Sequence, residues 1–346
     1  MVLAGMRPGR TKHVATAGAL VLAAWGLTSC TGHPPSTLEP DGPKASDVAT
    51  SWWLLFAVAA FVCLVVFALA IIPLVRRRRA TADPDNAGLR FVGIFGVAIP
   101  SVVFAGVFAL GLVDLDQTSS PPSPPRVTID VVAHQWWWEF RYTGSGSGSG
   151  SGADTVTAND VHVPVGVPVQ LRLSTADVIH SFWVPQLTPK TDLIPKKVNT
   201  TWLTVSKPGT YRGECAEYCG VEHAYMDFEL VAESSTDFSA WLARQAQPAA
   251  QPTTALAKQG MSLVTTTTCA SCHSVRGTAA DGDLGPDLTH VGSRPRLGGG
   301  VISNDPSHLA SWVDNPQRIK PGVRMPPQPL SESETKAVVA YLEGLK

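Results

Sequence analysis

A chain of 346 residues exceeds the roughly 100 to 200 residues of one ordinary domain, so two or three units are expected. Lys and Arg number 27 against 28 Asp and Glu, and a formal net charge of -1 gives no basic footprint for nucleic acid, which is excluded as a partner. Six cysteines, at 30, 63, 215, 219, 269 and 272, form two tight pairs and two singles. That is too sparse for a small disulfide scaffold and points to cofactors.

Residues 1–29 have a basic start (Arg7, Arg10, Lys12), an apolar run over 14–27 and small residues before a cysteine, as a secretory signal does. Leu27-Thr28-Ser29-Cys30 resembles a bacterial lipobox, which implies cleavage before Cys30 and a thioether-linked lipid on it. An ordinary signal or an uncleaved anchor is the alternative.

Residues 51–75 are apolar for more than the roughly 20 residues that span a bilayer, with Trp52 and Trp53 at the interface. Four arginines at 76–79 follow, and the positive-inside preference puts them in the cytoplasm. A second span over 91–113 ends at Asp114 and Asp116 and returns the chain across the membrane. The protein is thus expected to be multi-pass in a bacterial inner membrane, with everything after residue 114 on the periplasmic side. Pro73 and Pro100 fall within the spans, where neighbouring helices satisfy the carbonyls they free. Cys63, mid-span with no ligand nearby, has the default role of a small buried apolar residue.

Residues 118–125, rich in Pro and Ser, read as a stiff extended linker. Short Val- and Thr-rich runs at 127–132, 161–169, 170–174 and 201–205 predict strands of a sandwich or barrel over 126–235. The Gly-Ser repeat at 144–152 predicts a flexible loop between strands. A helix is expected over 238–245, a linker over 246–254, and then a small α-helical module over 255–346. Its helical runs are 255–265, 308–315 and 331–345, with Ser331 and Glu334 as a capping box.

Between Cys215 and Met226 one loop gathers two thiols (Cys215, Cys219), an imidazole (His223) and a thioether (Met226). Soft sulfur with imidazole suits copper, and paired thiolates can bridge two ions. His180 is the best further ligand. A Cys215–Cys219 disulfide and a satisfied core His180 are the competing readings, but a disulfide has no use for His223 and Met226 at those spacings. The second pair, Cys269-Ala270-Ser271-Cys272-His273, is a C-x-x-C-H motif: thioethers from Cys269 and Cys272 to haem vinyls, His273 on the iron. A redox dithiol lacks its βαβ context here, and zinc needs two more ligands. Met325, in Arg324-Met325-Pro326-Pro327, is the expected second axial ligand; Met261 competes from the helix before the motif, where a core role is expected. His290 and His308 are expected to be surface or structural.

The copper loop, the preceding His180 and Lys190-Thr191-Asp192-Leu193-Ile194-Pro195 resemble subunit II of cytochrome c oxidases over residues 52–235. The C-terminal module, with its Met-Pro turn and Gly285-Pro286-Asp287-Leu288 loop, resembles class I cytochromes c. The fold this implies is multidomain: a two-helix transmembrane hairpin, an all-β cupredoxin-like sandwich or barrel, and an all-α cytochrome c domain.

By the same resemblance, Cys215 and Cys219 bridge a binuclear copper centre. His180 and Met226 complete one ion, and His223 with the Glu217 carbonyl completes the other. The Glu217 carboxylate reaches a magnesium ion shared with subunit I. Trp136, in His134-Gln135-Trp136-Trp137-Trp138, is the exposed point of electron uptake from cytochrome c, with the tethered haem as an alternative occupant; Trp137 and Trp138 are core or interface. Many relatives carry a Glu at the start of the second span where this chain has Gly93, which puts proton uptake through this subunit in doubt.

The activity implied is that of an aerobic oxidase subunit. Covalent haem c takes electrons from an external donor, a cytochrome c or a quinol-cytochrome c reductase complex, and copper passes them to subunit I. Oxygen reduction and proton pumping belong to subunit I, with subunit III as a further partner, and no catalytic residue lies in this chain. A nitric oxide reductase subunit and a stand-alone membrane electron carrier are the alternatives.

Overall fold

The computed structural model describes residues 35–76, 87–143 and 155–346; the leader, Cys30, the arginines at 77–79 and the Gly-Ser repeat lie outside them. Helix α1 (Pro43–Arg76) begins at Pro43 rather than at 51. Its polar first turns rest on the β domain: Ala45 and Ala49 are buried, and Lys44 donates to Thr201 Oγ1 (3.0 Å) above the Trp202 ring. Hydropathy alone could not reveal that start, because these residues are buried by protein and not by lipid.

The second span is continuous through α2 (Ala87–Phe91), a π-helical stretch (Val92–Ala98) and α3 (Ile99–Ser119). The wider turns come just before Pro100, whose ring and missing N–H disturb the preceding α-turn. Helix α3 continues past Asp114 and Asp116 to Ser119, so the extended linker shortens to 120–125. Trp202 Nε1 donates to Thr118 O (3.1 Å), which seats the end of α3 on the β domain. Both spans are long and apolar enough to cross a membrane, and their side chains face outward. Cys63 lies on the outward face of α1, within the apolar span.

Among the described residues the β domain has ten strands: β1 (Val127–His134), β2 (Trp137–Thr143), β3 (Thr155–Ala158), β4 (Asp160–Pro164), β5 (Val169–Thr175), β6 (His180–Val184), β7 (Thr188–Leu193), β8 (Asn199–Leu203), β9 (Gly209–Cys215) and β10 (Asp227–Glu233). They form two five-stranded sheets, β3-β2-β1-β5-β8 and β4-β10-β9-β6-β7. In β1, Val127, Ile129, Val131 and Ala133 alternate inward as the period of two requires. The strands expected over 161–169 and 170–174 are β4 and β5, but the first stops at Pro164, because Gly166 (φ +74°) turns the chain and sends β5 into the other sheet.

Trp138, Phe140, Phe182 and Phe228 interlock between the sheets, with ring centroids 4.8–5.9 Å apart. Gly213 is what admits Phe228, since a Cβ there would lie 2.0 Å from the ring. Helix α4 (Ser235–Gln245), N-capped by Ser234, adds Phe238, Trp241 and Leu242 to the same core.

The segment expected as a free linker is strapped down. Ala249 is buried and its N–H donates to Arg276 O (2.8 Å), while the Arg276 guanidinium holds Gln245 O (2.7 Å). Helices α5 (Ala255–Thr266), α6 (Pro306–Asp314) and α7 (Glu332–Glu343) follow, with Ser331 and Glu334 forming the expected capping box. A two-residue ladder, β11 (Arg296–Leu297) with β12 (Ile302–Ser303), qualifies the all-α expectation.

Helices α5 and α7 cross at Gly260, where a Cβ would fall 1.9 Å from Ala337 O. Gly260→Ala must therefore push the pair apart, and a loss of about 1–3 kcal/mol is expected. Denaturant unfolding followed through the C-terminal domain checks this; no change would mean that the helices do not close at Gly260.

Candidate metal centre and covalent cofactor motif

Sheet register builds the first site. Strand β6 opens with His180 and pairs with the end of β9, where Phe182 faces Cys215, so the histidine and the first cysteine emerge side by side. The loop after β9 then returns as β10, bringing Cys219, His223 and Met226 back over them. Cys215 Sγ lies 3.8 Å from Cys219 Sγ and 3.8 Å from His180 Nδ1. Cys219 Sγ lies 3.8 Å from both His223 Nδ1 and Met226 Sδ. The Glu217 carbonyl is 3.2 Å from Cys215 Sγ. All six expected ligand groups converge.

The two sulfurs are too far apart for the roughly 2.05 Å of a disulfide, and both cysteines are free. A hydrogen bond from the Cys219 thiol, working against burial, brings Cys215 down to about 3. The same bond pushes Cys219 well up, so the pair keeps one proton between two sulfurs. Burial opposes charge on His180, but its bonds to Asp177 and Cys215 outweigh that and raise its pKa. The Nε2 of His180 points at Asp177 Oδ1 (2.9 Å), which leaves Nδ1 and its lone pair aimed at the sulfurs. Burial works against the Asp177 carboxylate too, yet bonds from His180 and from the Val178 and Gln135 N–H groups hold it at about 2. Two thiols, two imidazoles and a thioether, all buried but the half-buried His223 and with His180 fixed from behind, fit copper. Among the described residues this is the one place where three His, Cys, Asp or Glu ligand atoms gather, within 4.8 Å of one another. The Glu217 carboxylate stands partly exposed, 3.9 Å from Lys190 Nζ.

The C-x-x-C-H motif sits in a short 3-10 turn (Thr268–Ser271) after α5, and both cysteines are free and half-buried. His273 Nδ1 lies 2.7 Å from Pro286 O, so its N–H is engaged and Nε2 is left for iron. Burial pushes the His273 pKa down, favouring the neutral ligating form. Gly285 lies flat against the imidazole, where a Cβ would be 2.6 Å from Cε1. These features fit a covalently attached haem, whose iron His273 would ligate through Nε2. The Met325 carbonyl is held by Gln317 Nε2 (2.9 Å) on the loop before α7, whereas Met261 packs on the core of the domain. His290 is buried and bonds Gln247 O (3.1 Å), and His308 sits exposed beside Asp305 at the α6 N-cap, so both are structural.

Trp136 departs from expectation. It is only 8% exposed: its ring belongs to the β-domain core beside Gly220, and Lys320 Nζ of the C-terminal domain donates to its carbonyl (2.9 Å). Its indole N–H and the Gln135 amide both donate to Cys219 O (3.1 and 2.7 Å), which ties the tryptophan to the metal loop. Trp138 is fully buried and donates to Met226 O (3.3 Å), while Trp137 stacks on His134 at 4.1 Å. Asp177, Lys320 and Arg324 were given no role from sequence. Only the position of Asp177 three residues before His180 offered a signal.

The family model for the cytochrome c oxidase subunit II periplasmic domain matches residues 149–234, and that for cytochrome c matches 257–346. The cytochrome c oxidase subunit 2 of Alkalihalophilus pseudofirmus is 35% identical, over 92% of this chain and 94% of the relative. That of Bacillus subtilis is 30% identical, with the same coverage of 92% and 94%. The solved periplasmic domain of cytochrome oxidase subunit II from Bradyrhizobium japonicum is 28% identical, covering 35% of this chain and 94% of that one at a TM-score of 0.32.

Proposed function

Since the chain belongs to the cytochrome c oxidase subunit 2 family and carries a cytochrome c domain, we infer that it receives electrons for an aerobic respiratory oxidase and hands them to subunit I. When bound, a covalent haem c and a copper pair supply reversible one-electron carriers in series, haem first. The residues that would hold copper are His180, Cys215, Cys219, His223, Met226 and the Glu217 carbonyl; those for haem are Cys269, Cys272, His273 and Met325. The chain's own work is positional. Asp177 orients His180, Pro286 orients His273, and the donors of Trp136 and Gln135 converge on the Cys219 carbonyl, fixing the loop that bears the sulfurs.

The two apolar helices anchor the subunit in the inner membrane and keep both soluble domains periplasmic, with a lipid on Cys30 as a further anchor. The partly exposed Glu217 carboxylate is free to meet a magnesium ion at the face towards subunit I. Subunits I and III and an external haem-protein or reductase donor complete the assembly, in which oxygen reduction and proton pumping belong to subunit I.

The observation that carries this reading is the two unpaired sulfurs at 3.8 Å, with an imidazole and a thioether at the same distance. The test is metal analysis and spectroscopy of the full chain, purified with its partner subunits after native maturation. A mixed-valence copper-pair resonance and a c-type haem band are expected. A Cys215–Cys219 disulfide with no bound copper overturns the reading.

A further inference from the structure

The loop between α6 and Met325 reaches out of the C-terminal domain and grips the copper loop of the β domain. Lys320 is 1% exposed, and its ammonium donates to three carbonyls: Trp136 O (2.9 Å) and Tyr225 O (2.6 Å) in the β domain, and Gly298 O (2.8 Å) in its own. Tyr225 stands between His223 and Met226. Arg324, beside Met325, bonds the Gln135 side chain and lies 3.7 Å from Asp177 Oδ2. Gly322 (φ +96°) meets Val221 so closely that a Cβ would lie 2.9 Å from its Cγ2. Gly299 (φ +78°) accepts from the Asp227 N–H (2.9 Å).

A buried ammonium is costly unless every N–H finds an acceptor. Three carbonyls for three protons meet that demand only while the two domains stay together. Burial lowers the Lys320 pKa to about 8, which still leaves it an ammonium at pH 7, faced by Glu222 and Asp227. Each group that the loop touches in the β domain is itself tied to an expected copper ligand. Gln135 and Trp136 bond Cys219 O, Asp177 bonds His180, and Tyr225 and Val221 belong to the ligand loop.

We propose that Lys320 and Arg324 clamp the C-terminal domain onto the copper loop as a resident lid over Trp136, closing that face to any separate donor protein. The proposal deepens the functional reading above, on which it rests for the role of Trp136. The lid is the chain's own cytochrome domain, so the face that would admit a diffusing haem protein is occupied from within.

The full chain in its membrane-extracted complex provides the test, with Lys320→Met and Arg324→Gln. The Arg324 side chain is 63% exposed, so its variant keeps the fold even where loss of the buried lysine does not. Two quantities are read: hydrogen exchange at the Asp227 amide, which bonds across the domains, and copper reduction by added soluble cytochrome c. Either variant, with copper and haem spectra intact, is expected to speed that exchange at least tenfold. It should also gain a copper-reduction phase that precedes reduction of the covalent haem and rises with donor concentration. Exchange within twofold of the parent in both variants, with no new phase, overturns the clamp. A parent chain without a copper signal overturns the functional reading instead, and the exchange measurement then still decides whether the domains are pinned.

Discussion

Cys215→Ser is expected to strip the chain of copper while leaving both soluble domains folded and the haem band unchanged. The sulfur it removes is the one 3.8 Å from both His180 Nδ1 and Cys219 Sγ, the bridging position of the proposed centre. Removing a group that merely orients a metal ligand typically costs roughly 10–100-fold in affinity. Removal of a shared thiolate must exceed that, because both ions lose a bond at once and a hydroxyl oxygen is a poor soft bridge. The fold has little to lose. Cys215 ends β9 with its N–H on Met226 O (3.1 Å), a backbone bond that serine keeps. Met226→Leu supplies the contrast: its sulfur lies beside Cys219, so copper should stay and only its spectrum shift. Copper analysis with circular dichroism checks both. Copper retained in Cys215→Ser would remove the bridging role.

The groups that converge at the proposed copper site were legible because the chain places five of the six within twelve consecutive residues, and Cys269-Ala270-Ser271-Cys272-His273 carries its motif in five. Helix ends were legible where local chemistry sets them, as at Ser331 and Glu334. What escaped was tertiary. The first turns of α1 are helical because Lys44 and Ala45 pack on the β domain, and the early end of β4 at Pro164 depends on Gly166 taking a left-handed turn between two sheets. Lys320 meets Trp136 across 184 positions, and no periodicity or motif encodes a pairing at that range. Trp136 was expected on an open surface for the same reason: its sequence neighbours say nothing of Gly220 and Cys219 packed on its ring or of Lys320 on its carbonyl.

Arg294→Met is expected to open the same interface from its far side, with a deficit that grows as pH rises. Arg294 belongs to the C-terminal domain and Asp160 begins β4; Nε and Oδ1 are 3.6 Å apart, and both side chains are about one-tenth exposed. The guanidinium also donates to Asp287 O (2.6 Å), next to the Pro286 carbonyl that holds His273. Burial raises the Asp160 pKa above its ordinary 3.8, and Arg294 and His162 partly restore it. Without the arginine, the buried carboxylate keeps only the His162 imidazole, 3.9 Å away, as an ion-pair partner, and the loss is up to about 3–5 kcal/mol. Because the pair spans two domains, parting them to let water reach Asp160 is the cheaper response, and the deficit appears as undocking before it appears as unfolding.

The sign with pH follows from linkage. A carboxyl whose pKa is raised in the docked form binds its proton more tightly there, so docking weakens as pH climbs through the window from 3.8 upward. The Arg294→Met deficit should therefore be largest near pH 8 and shrink towards pH 5. Asp160→Asn in the same chain should recover most of it, since a neutral amide carries no charge to strand. Exchange at the Asp227 amide, compared at the two pH values in the single and double variants, measures this directly. A deficit that does not change with pH would mean that Asp160 already holds its proton in the parent chain, and that Arg294 acts there as a hydrogen-bond donor to Asp287 alone.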